Sequence, residues 1–302
     1  MRTTAGAALA KMHENEVEVD VVLVRRLLEA QFPDWAELEL HPVHPAGTDN
    51  AIFRLGEGMA VRLPRIHWAA GQPAKEFEWV RRLAPYLTLE VPVPLAEGMP
   101  GEGYPWHWTV CRWLHGETAL ADPVADARQL ASNLAGFVEA LQRIDPSGAP
   151  PARRGRPLDT VDEMTRSSLD ALADDPETPA LTDAWEEALA APVWGAPPVW
   201  THGDLDLRNL VVRGGRLTGV LDVGGVGIGD PACDVAAAWK VLPVTERGAF
   251  RAALDVDDAT WARARGWVVS QSVNALAYYT LENNAVLVLE CRRWLTEVLA
   301  SG

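Results

Sequence analysis

Apolar positions recur with two different periods in the first part of the chain. Over residues 21–31 they fall at Val21, Val24, Leu27 and Leu28, one face of a helix that Asp20 caps and Pro33 ends. Residues 37–43 alternate instead. Residues 50–55 and 59–63 flank Gly56-Glu57-Gly58 and predict two strands joined by a turn. A helix follows Pro73 and stops before Pro85, Val91-Pro92-Val93-Pro94 is extended, residues 100–104 turn, and residues 106–114 read as another strand. From His115-Gly116 onward the pattern becomes mainly helical, except for a β-rich stretch at 210–222. The expected fold class is α+β: a small antiparallel sheet lobe over residues 1–114, with residues 1–15 flexible, and a larger, mainly helical lobe over 115–302.

The β-rich exception carries the densest chemistry. His202-Gly203-Asp204-Leu205-Asp206-Leu207-Arg208-Asn209 precedes it, and Leu221-Asp222-Val223-Gly224 closes it. Gly214-Gly215 between the two runs predicts a two-residue hairpin turn, because both central positions need positive φ. With Arg213 opposite Arg216, Asn209 faces Val220, and Asp222 becomes its diagonal neighbour on the same face, with Cα atoms roughly 7–8 Å apart. An amide oxygen and a carboxylate so placed suit Mg²⁺, a small ion that takes oxygen ligands. Asp204 ends the approach over residues 197–201, in position to meet a hydroxyl. This order of residues points to Mg²⁺-assisted phosphoryl transfer from a nucleoside triphosphate.

Composition narrows the partners. The chain has 302 residues, enough for two domains, with 48% hydrophobic and 23% charged residues. Cys111, Cys233 and Cys291 form no CxxC pair and predict buried thiols in a reducing compartment. The apolar run over residues 5–10 is too short for a secretory core, and nothing approaches the ~20 apolar residues that span a bilayer. A soluble cytoplasmic protein, a monomer or homodimer without membrane or nucleic-acid partners, is expected. A formal charge of −15 repels nucleic acid and favours a cationic small molecule.

Three features upstream fit the same chemistry. Gly47-Thr48-Asp49-Asn50, after Pro45-Ala46, forms a turn before a strand, where backbone N–H groups can meet phosphate; an ordinary hairpin turn reads equally well. Ala60-Val61-Arg62 stands where kinases carry Ala-x-Lys, and arginine keeps the charge while changing its shape. In the following helix Glu76 is the expected partner of Arg62, with Glu78 the alternative.

Taken together these motifs resemble the aminoglycoside phosphotransferase family, a branch of the protein-kinase-like fold that includes choline, homoserine and fructosamine kinases. The likeness runs from Gly47 through the His202 block to Asp222, and on into Gly229-Asp230-Pro231-Ala232-Cys233-Asp234. It implies a two-lobed kinase that transfers the γ-phosphoryl group of ATP or GTP, with Mg²⁺, to a hydroxyl of a small cationic acceptor such as an aminoglycoside or amino sugar. It makes Asp204 the catalytic aspartate, Asn209 and Asp222 the metal ligands, and Arg62 the phosphate contact with Glu76 as its partner. Gly47, Thr48 and Asn50 belong to the nucleotide site, and the strand end at Arg112-Trp113-Leu114 supplies backbone contacts to the base. The family's pattern is broken at Arg62, for lysine, and at Val223, where an aromatic residue is usual.

Several neighbours read as structural. Asp230 before Pro231 is a helix cap, Asp234 braces the catalytic loop, and His202 stabilises it. Asp206 either faces a cationic substrate or stiffens the turn. Tyr278, Tyr279, Glu282, Asn283 and Asn284 read as a helix corner before a substrate wall. A dinuclear metallophosphoesterase needs further histidines, yet all seven lie at or before position 202. A nucleotide-binding regulator without turnover has only Arg62 in its favour; a macrolide or choline-like acceptor would use the same machinery.

Overall fold

The computed structural model describes residues 13, 15–44 and 47–301. Most of the segment 1–15 expected to be flexible, together with Pro45 and Ala46, lies outside the described residues. The chain divides into two compact units, one formed by Met1–Pro85 and Glu90–His115, the other by Tyr86–Leu89 and Gly116–Gly302.

The first unit opens with helix α1 (Val21–Gln31), whose first turn is capped by Asp20 accepting from the Leu23 amide at 2.7 Å. A short α2 (Pro33–Ala36) follows at once, with proline at its start, where no N–H is needed. Strands β1 (Leu40–Pro42), β2 (Asn50–Leu55) and β3 (Met59–Pro64) precede α3 (Gln72–Leu83), and β4 (Pro94–Gly98) and β5 (Trp108–Arg112) complete an antiparallel sheet in the order β1-β2-β3-β5-β4. The alternation over 37–43 therefore yields only three paired residues, because Glu37 still closes α2. Of the Val91–Pro94 run only the last residue belongs to a strand, although the Val93 carbonyl already accepts from the Arg112 amide; an edge strand begins there that the prolines had hidden.

Leu23, Val24, Leu27 and Leu28 pack α1 onto Phe53, Leu55, Val61, Leu63 and Val110 of the sheet. Each such side chain buried stabilises the unit by about 1.5–3 kcal/mol. Tyr104 and Trp108 join this core and satisfy their polar ends on backbone carbonyls, at 2.7 Å on Pro64 and 3.1 Å on Met99.

The second unit starts with β6 (Glu117–Thr118) and α4 (Ala127–Gln142), then α5 (Asp162–Ala171) and α6 (Thr178–Ala190). Next come β7 (Val199–Thr201), β8 (Leu210–Arg213), β9 (Arg216–Val220) and β10 (Gly227–Gly229). The sheets are β6-β8-β9 and β10-β7, so the predicted hairpin gains a third strand, and a second small sheet forms that the helical reading had not anticipated. Strands of two or three residues leave too short a pattern to detect. The remainder is helical: α7 (Ala232–Val235), α8 (Ala237–Lys240), α9 (Val244–Ala253), α10 (Asp258–Tyr278) and α11 (Leu281–Leu299).

Helix α10 packs against α5, α6, α7 and α11, and this all-round burial explains its weak amphipathic signal. The three cysteines are free and buried. Burial pushes the Cys111 and Cys291 thiols up to about 12, which leaves them inert packing groups. Among the described residues no helix is long and apolar enough to cross a membrane.

Candidate active site

Strand β7 delivers the chain into the His202-Gly203-Asp204 turn. The buried carboxylate of Asp234 accepts from both amides there, His202 at 2.8 Å and Gly203 at 2.6 Å. Burial raises the pKa of Asp234, and His202 and those two amides oppose the rise. Gly203 adopts φ +81°, a conformation that admits glycine readily. His202 is fixed at both nitrogens: Nδ1 accepts from the Asp204 amide at 3.2 Å, so Nε2 carries the proton that it donates to the Leu221 carbonyl at 2.9 Å. Bound at both nitrogens, this imidazole holds the loop.

The Asp204 side chain sits among cations. Arg154 Nη1 lies 2.7 Å from Oδ1 and Lys240 Nζ 3.1 Å from the same oxygen. Burial would raise the carboxyl, but Arg154, Lys240 and Arg208 outweigh it and hold the group well below the ordinary carboxylate range. Asp206 is fully buried and accepts from Arg208 through its amide at 2.8 Å and its guanidinium at 2.6 Å. Of its two readings, stiffening the turn is the one the geometry favours.

The hairpin departs from the expected register. Arg213 is opposite Arg216, and Gly214 and Gly215 have φ +60° and +74° as the turn requires. A bulge beside Val211 and Val212 then absorbs Thr218, so Leu210 rather than Asn209 faces Val220. The Asn209 carbonyl accepts from the Leu221 amide at 2.7 Å, which puts Asp222 one residue past Asn209's partner, not two. The shared-face construction is thus wrong. Asp222 is re-aimed instead by leaving the strand in the left-handed region, φ 55° and ψ 55°. Such a conformation costs a non-glycine residue roughly 1–2 kcal/mol and is concentrated at functional sites.

Asn209 Nδ2 donates to the Asp204 carbonyl at 2.9 Å, which commits the amide nitrogen and turns its oxygen the other way. Among the described residues no group of three or more His, Cys, Asp or Glu side chains is placed to hold a metal ion. A Mg²⁺ bound by one amide oxygen, one carboxylate and substrate phosphates does not need one. The hard oxygen donors of Asn209 and Asp222 fit that ion.

The first unit holds the upstream candidates. Arg62, in the middle of the sheet, donates to Glu76 of α3 at 2.7 Å with both side chains buried. Glu78 pairs with Arg82. Gly47 closes onto the Asn50 carbonyl so nearly that a Cβ would lie 2.8 Å from it. The Thr48 carbonyl bonds His13 at 3.1 Å, and the Asn50 side-chain amide reaches Gln72 at the start of α3 at 3.1 Å, so Asn50 ties the turn to the helix. The amides of Arg112 and Trp113 are already donated to the Val93 and Gly58 carbonyls, at 2.9 Å each, and Leu114 lies two residues beyond the end of β5.

Sequence reasoning missed Arg154, Lys240 and Arg263. The first lay in Arg153-Arg154-Gly155-Arg156 between prolines, and Lys240 was the lone charge in an apolar run from Val235 to Leu242. Arg263 of α10 binds both oxygens of Asp230, at 2.6 and 3.2 Å, while Asp230 also caps the Ala232 amide at 2.9 Å. Residues 278–284 form the helix corner: Thr280 caps α11 in a box with Asn283, and Tyr278 and Tyr279 meet edge to face.

Comparison with known proteins bears on the family and the fold. An aminoglycoside 3'-phosphotransferase of Salmonella typhimurium is 30% identical over 142 residues, 45% of this chain and 52% of that protein. The chain thus spans about half the length of the curated relatives it matches. The structure of the GDP and kanamycin complex of APH(2")-IIia superposes with a TM-score of 0.75 at 20% identity, covering 92% of this chain and 99% of that one. The macrolide 2'-phosphotransferase MphH from Brachybacterium faecium, an apoenzyme, gives 0.58 at 23% identity, covering 88% and 97%. These likenesses establish an α+β fold of the aminoglycoside-kinase type. A family model described as the phosphotransferase enzyme family matches residues 39–267, which hold Arg62, Glu76, Asp204, Asn209, Asp222 and Asp234, and the chain belongs to that family.

Proposed function

We propose that the chain is a small-molecule kinase that transfers the γ-phosphoryl group of ATP or GTP to a hydroxyl of a cationic acceptor of the aminoglycoside or amino-sugar type. The observation that carries this reading is Asp204, an ionised carboxylate on a loop braced through both preceding amides, one hydrogen bond from Asn209. A carboxylate held this far down is a weak base. It therefore accepts a hydrogen bond from the acceptor hydroxyl and orients it, and takes the proton only as the new P–O bond forms and the β–γ bridging bond breaks. The products are the phosphorylated acceptor and a nucleoside diphosphate.

Asn209 and Asp222 are the residues that would hold Mg²⁺. When bound, the ion neutralises charge on the transferring phosphates. In the first unit, Arg62, kept in place by Glu76, serves as the α/β-phosphate contact. The turn at Gly47, Thr48 and Asn50 covers phosphate, and the Arg112–Leu114 strand end meets the base through Leu114. The GDP and kanamycin bound to APH(2")-IIia support a nucleotide donor and an aminoglycoside acceptor. The net charge of −15 favours the same acceptor class by raising the local concentration of cations.

The test is a Mg²⁺-dependent phosphorylation screen with ATP and GTP across aminoglycosides, macrolides, amino sugars and amino alcohols. Transfer to an amino-bearing acceptor is expected. If nucleotide binds and nothing in the panel is phosphorylated, the regulator reading replaces this one. Asp222→Ala is expected to abolish Mg²⁺-dependent nucleotide binding in calorimetry, and retained affinity would remove Asp222 from the metal site. Arg62→Ala is expected to raise the nucleotide KM about 10-fold, in line with loss of one charged phosphate contact. An unchanged KM would mean that another cation makes the contact.

A further inference from the structure

Lys240 is a buried cation, 2% exposed, at the end of the apolar stretch Ala236-Ala237-Ala238-Trp239. Placing an ammonium there costs several kcal/mol of solvation unless neighbours replace the lost water. Four groups do so. Nζ lies 3.1 Å from Asp204 Oδ1, 3.0 Å from Gln271 Oε1, 3.9 Å from Asp206 Oδ2 and 4.7 Å from the centre of the Trp294 ring.

Arg154 approaches the same Oδ1 at 2.7 Å and also donates to the Gly203 carbonyl at 3.1 Å. Both cations therefore converge on one oxygen from two separate parts of the unit. The other oxygen, Oδ2, makes neither of these short contacts. A carboxylate gripped at a single oxygen cannot leave its rotamer, or twist part-way about its Cβ–Cγ bond, without losing both partners, and a half-turn only exchanges equivalent oxygens.

Resting on the kinase reading above, we infer that Lys240 is a positioning residue. With Arg154 it clamps Oδ1 of Asp204, so that Oδ2 alone is presented to the acceptor hydroxyl. Gln271 and Trp294 hold the ammonium in turn, which makes two residues of α10 and α11 indirect supports of the carboxylate.

The experiment compares wild type with Lys240→Met, which keeps the length of the buried chain and removes the charge, and with Lys240→Arg, which restores it. Crystal structures of all three report the Asp204 rotamer, and steady-state kinetics use the acceptor found by the screen. In Lys240→Met the Asp204 carboxylate is expected to occupy a second rotamer, and kcat to fall about 10- to 100-fold with the nucleotide KM unchanged, as for a misplaced reacting group. Lys240→Arg should recover a single rotamer and most of kcat. An unmoved Asp204 in Lys240→Met, or a loss confined to KM, overturns the clamp. If wild type phosphorylates no acceptor while the rotamer still shifts, the clamp stands and the kinase reading fails. Should Lys240→Met not fold, Lys240→Gln, which keeps a donor without the charge, is read by the same rotamer criterion.

Discussion

Replacing Asp204 with alanine is expected to lower kcat for phosphoryl transfer about 10³-fold, within the range for loss of a positioned acid–base group. Nucleotide affinity should stay near that of wild type. Two features of the surroundings fix this expectation. Arg154 and Lys240 both end on the Asp204 carboxylate, so its removal leaves two cations where the acceptor oxygen must arrive. The loop backbone, by contrast, is held by Asp234 and His202 and does not depend on the lost side chain. Asp204→Asn keeps the shape and removes the charge, and should lose nearly as much as alanine. The measurement is initial rate against acceptor and nucleotide for wild type and both variants, with thermal melts to show that they are folded. Near-normal turnover in Asp204→Ala would remove this residue from the reaction.

Arg263→Met is expected to destabilise the chain by about 3–5 kcal/mol, the cost of breaking one partner out of a buried ion pair. Asp230 is 5% exposed and Arg263 3% exposed, so neither has ready access to water. The guanidinium also donates to the Thr260 hydroxyl at 3.0 Å and to the Pro192 carbonyl at 2.5 Å. Its loss therefore strands a carboxylate and two further acceptors. Urea unfolding gives the number directly, and the double variant Arg263→Met with Asp230→Leu should recover part of it, because the stranded charge is gone. A change under about 1 kcal/mol in the single variant would show that water reaches Asp230 and that the pair contributes little.

Local signals were read well from sequence. The α1 cap, the helix following Pro73 and stopping before Pro85 and the paired strands around Gly56 each depend on a few neighbouring residues, and the structure places them within a residue or two. The Arg62–Glu76 pair was also within reach, since a strand and the helix that follows it carry both residues. The hairpin shows where such reading stops. Its turn is written in Gly214-Gly215, but its register is set by the extra residue Thr218, whose accommodation depends on packing around both strands. The surroundings of Asp204 were less accessible still. Arg154 and Lys240 lie 50 residues before it and 36 after it, and nothing in a periodic pattern announces that two distant cations share one oxygen.

The two hydrogen bonds from His202 and Gly203 to Asp234 join the turn that carries Asp204 to the short helices that lead to Lys240. Apart from Arg154, the groups proposed to meet the reacting hydroxyl and the metal thus belong to one fastened cassette spanning residues 202–240. The Tyr278–Asn284 corner lies outside it. The hydrogen bonds that fasten the cassette, from His202 and Gly203 to Asp234, use no residue of that corner, so a substitution there leaves the fastening intact.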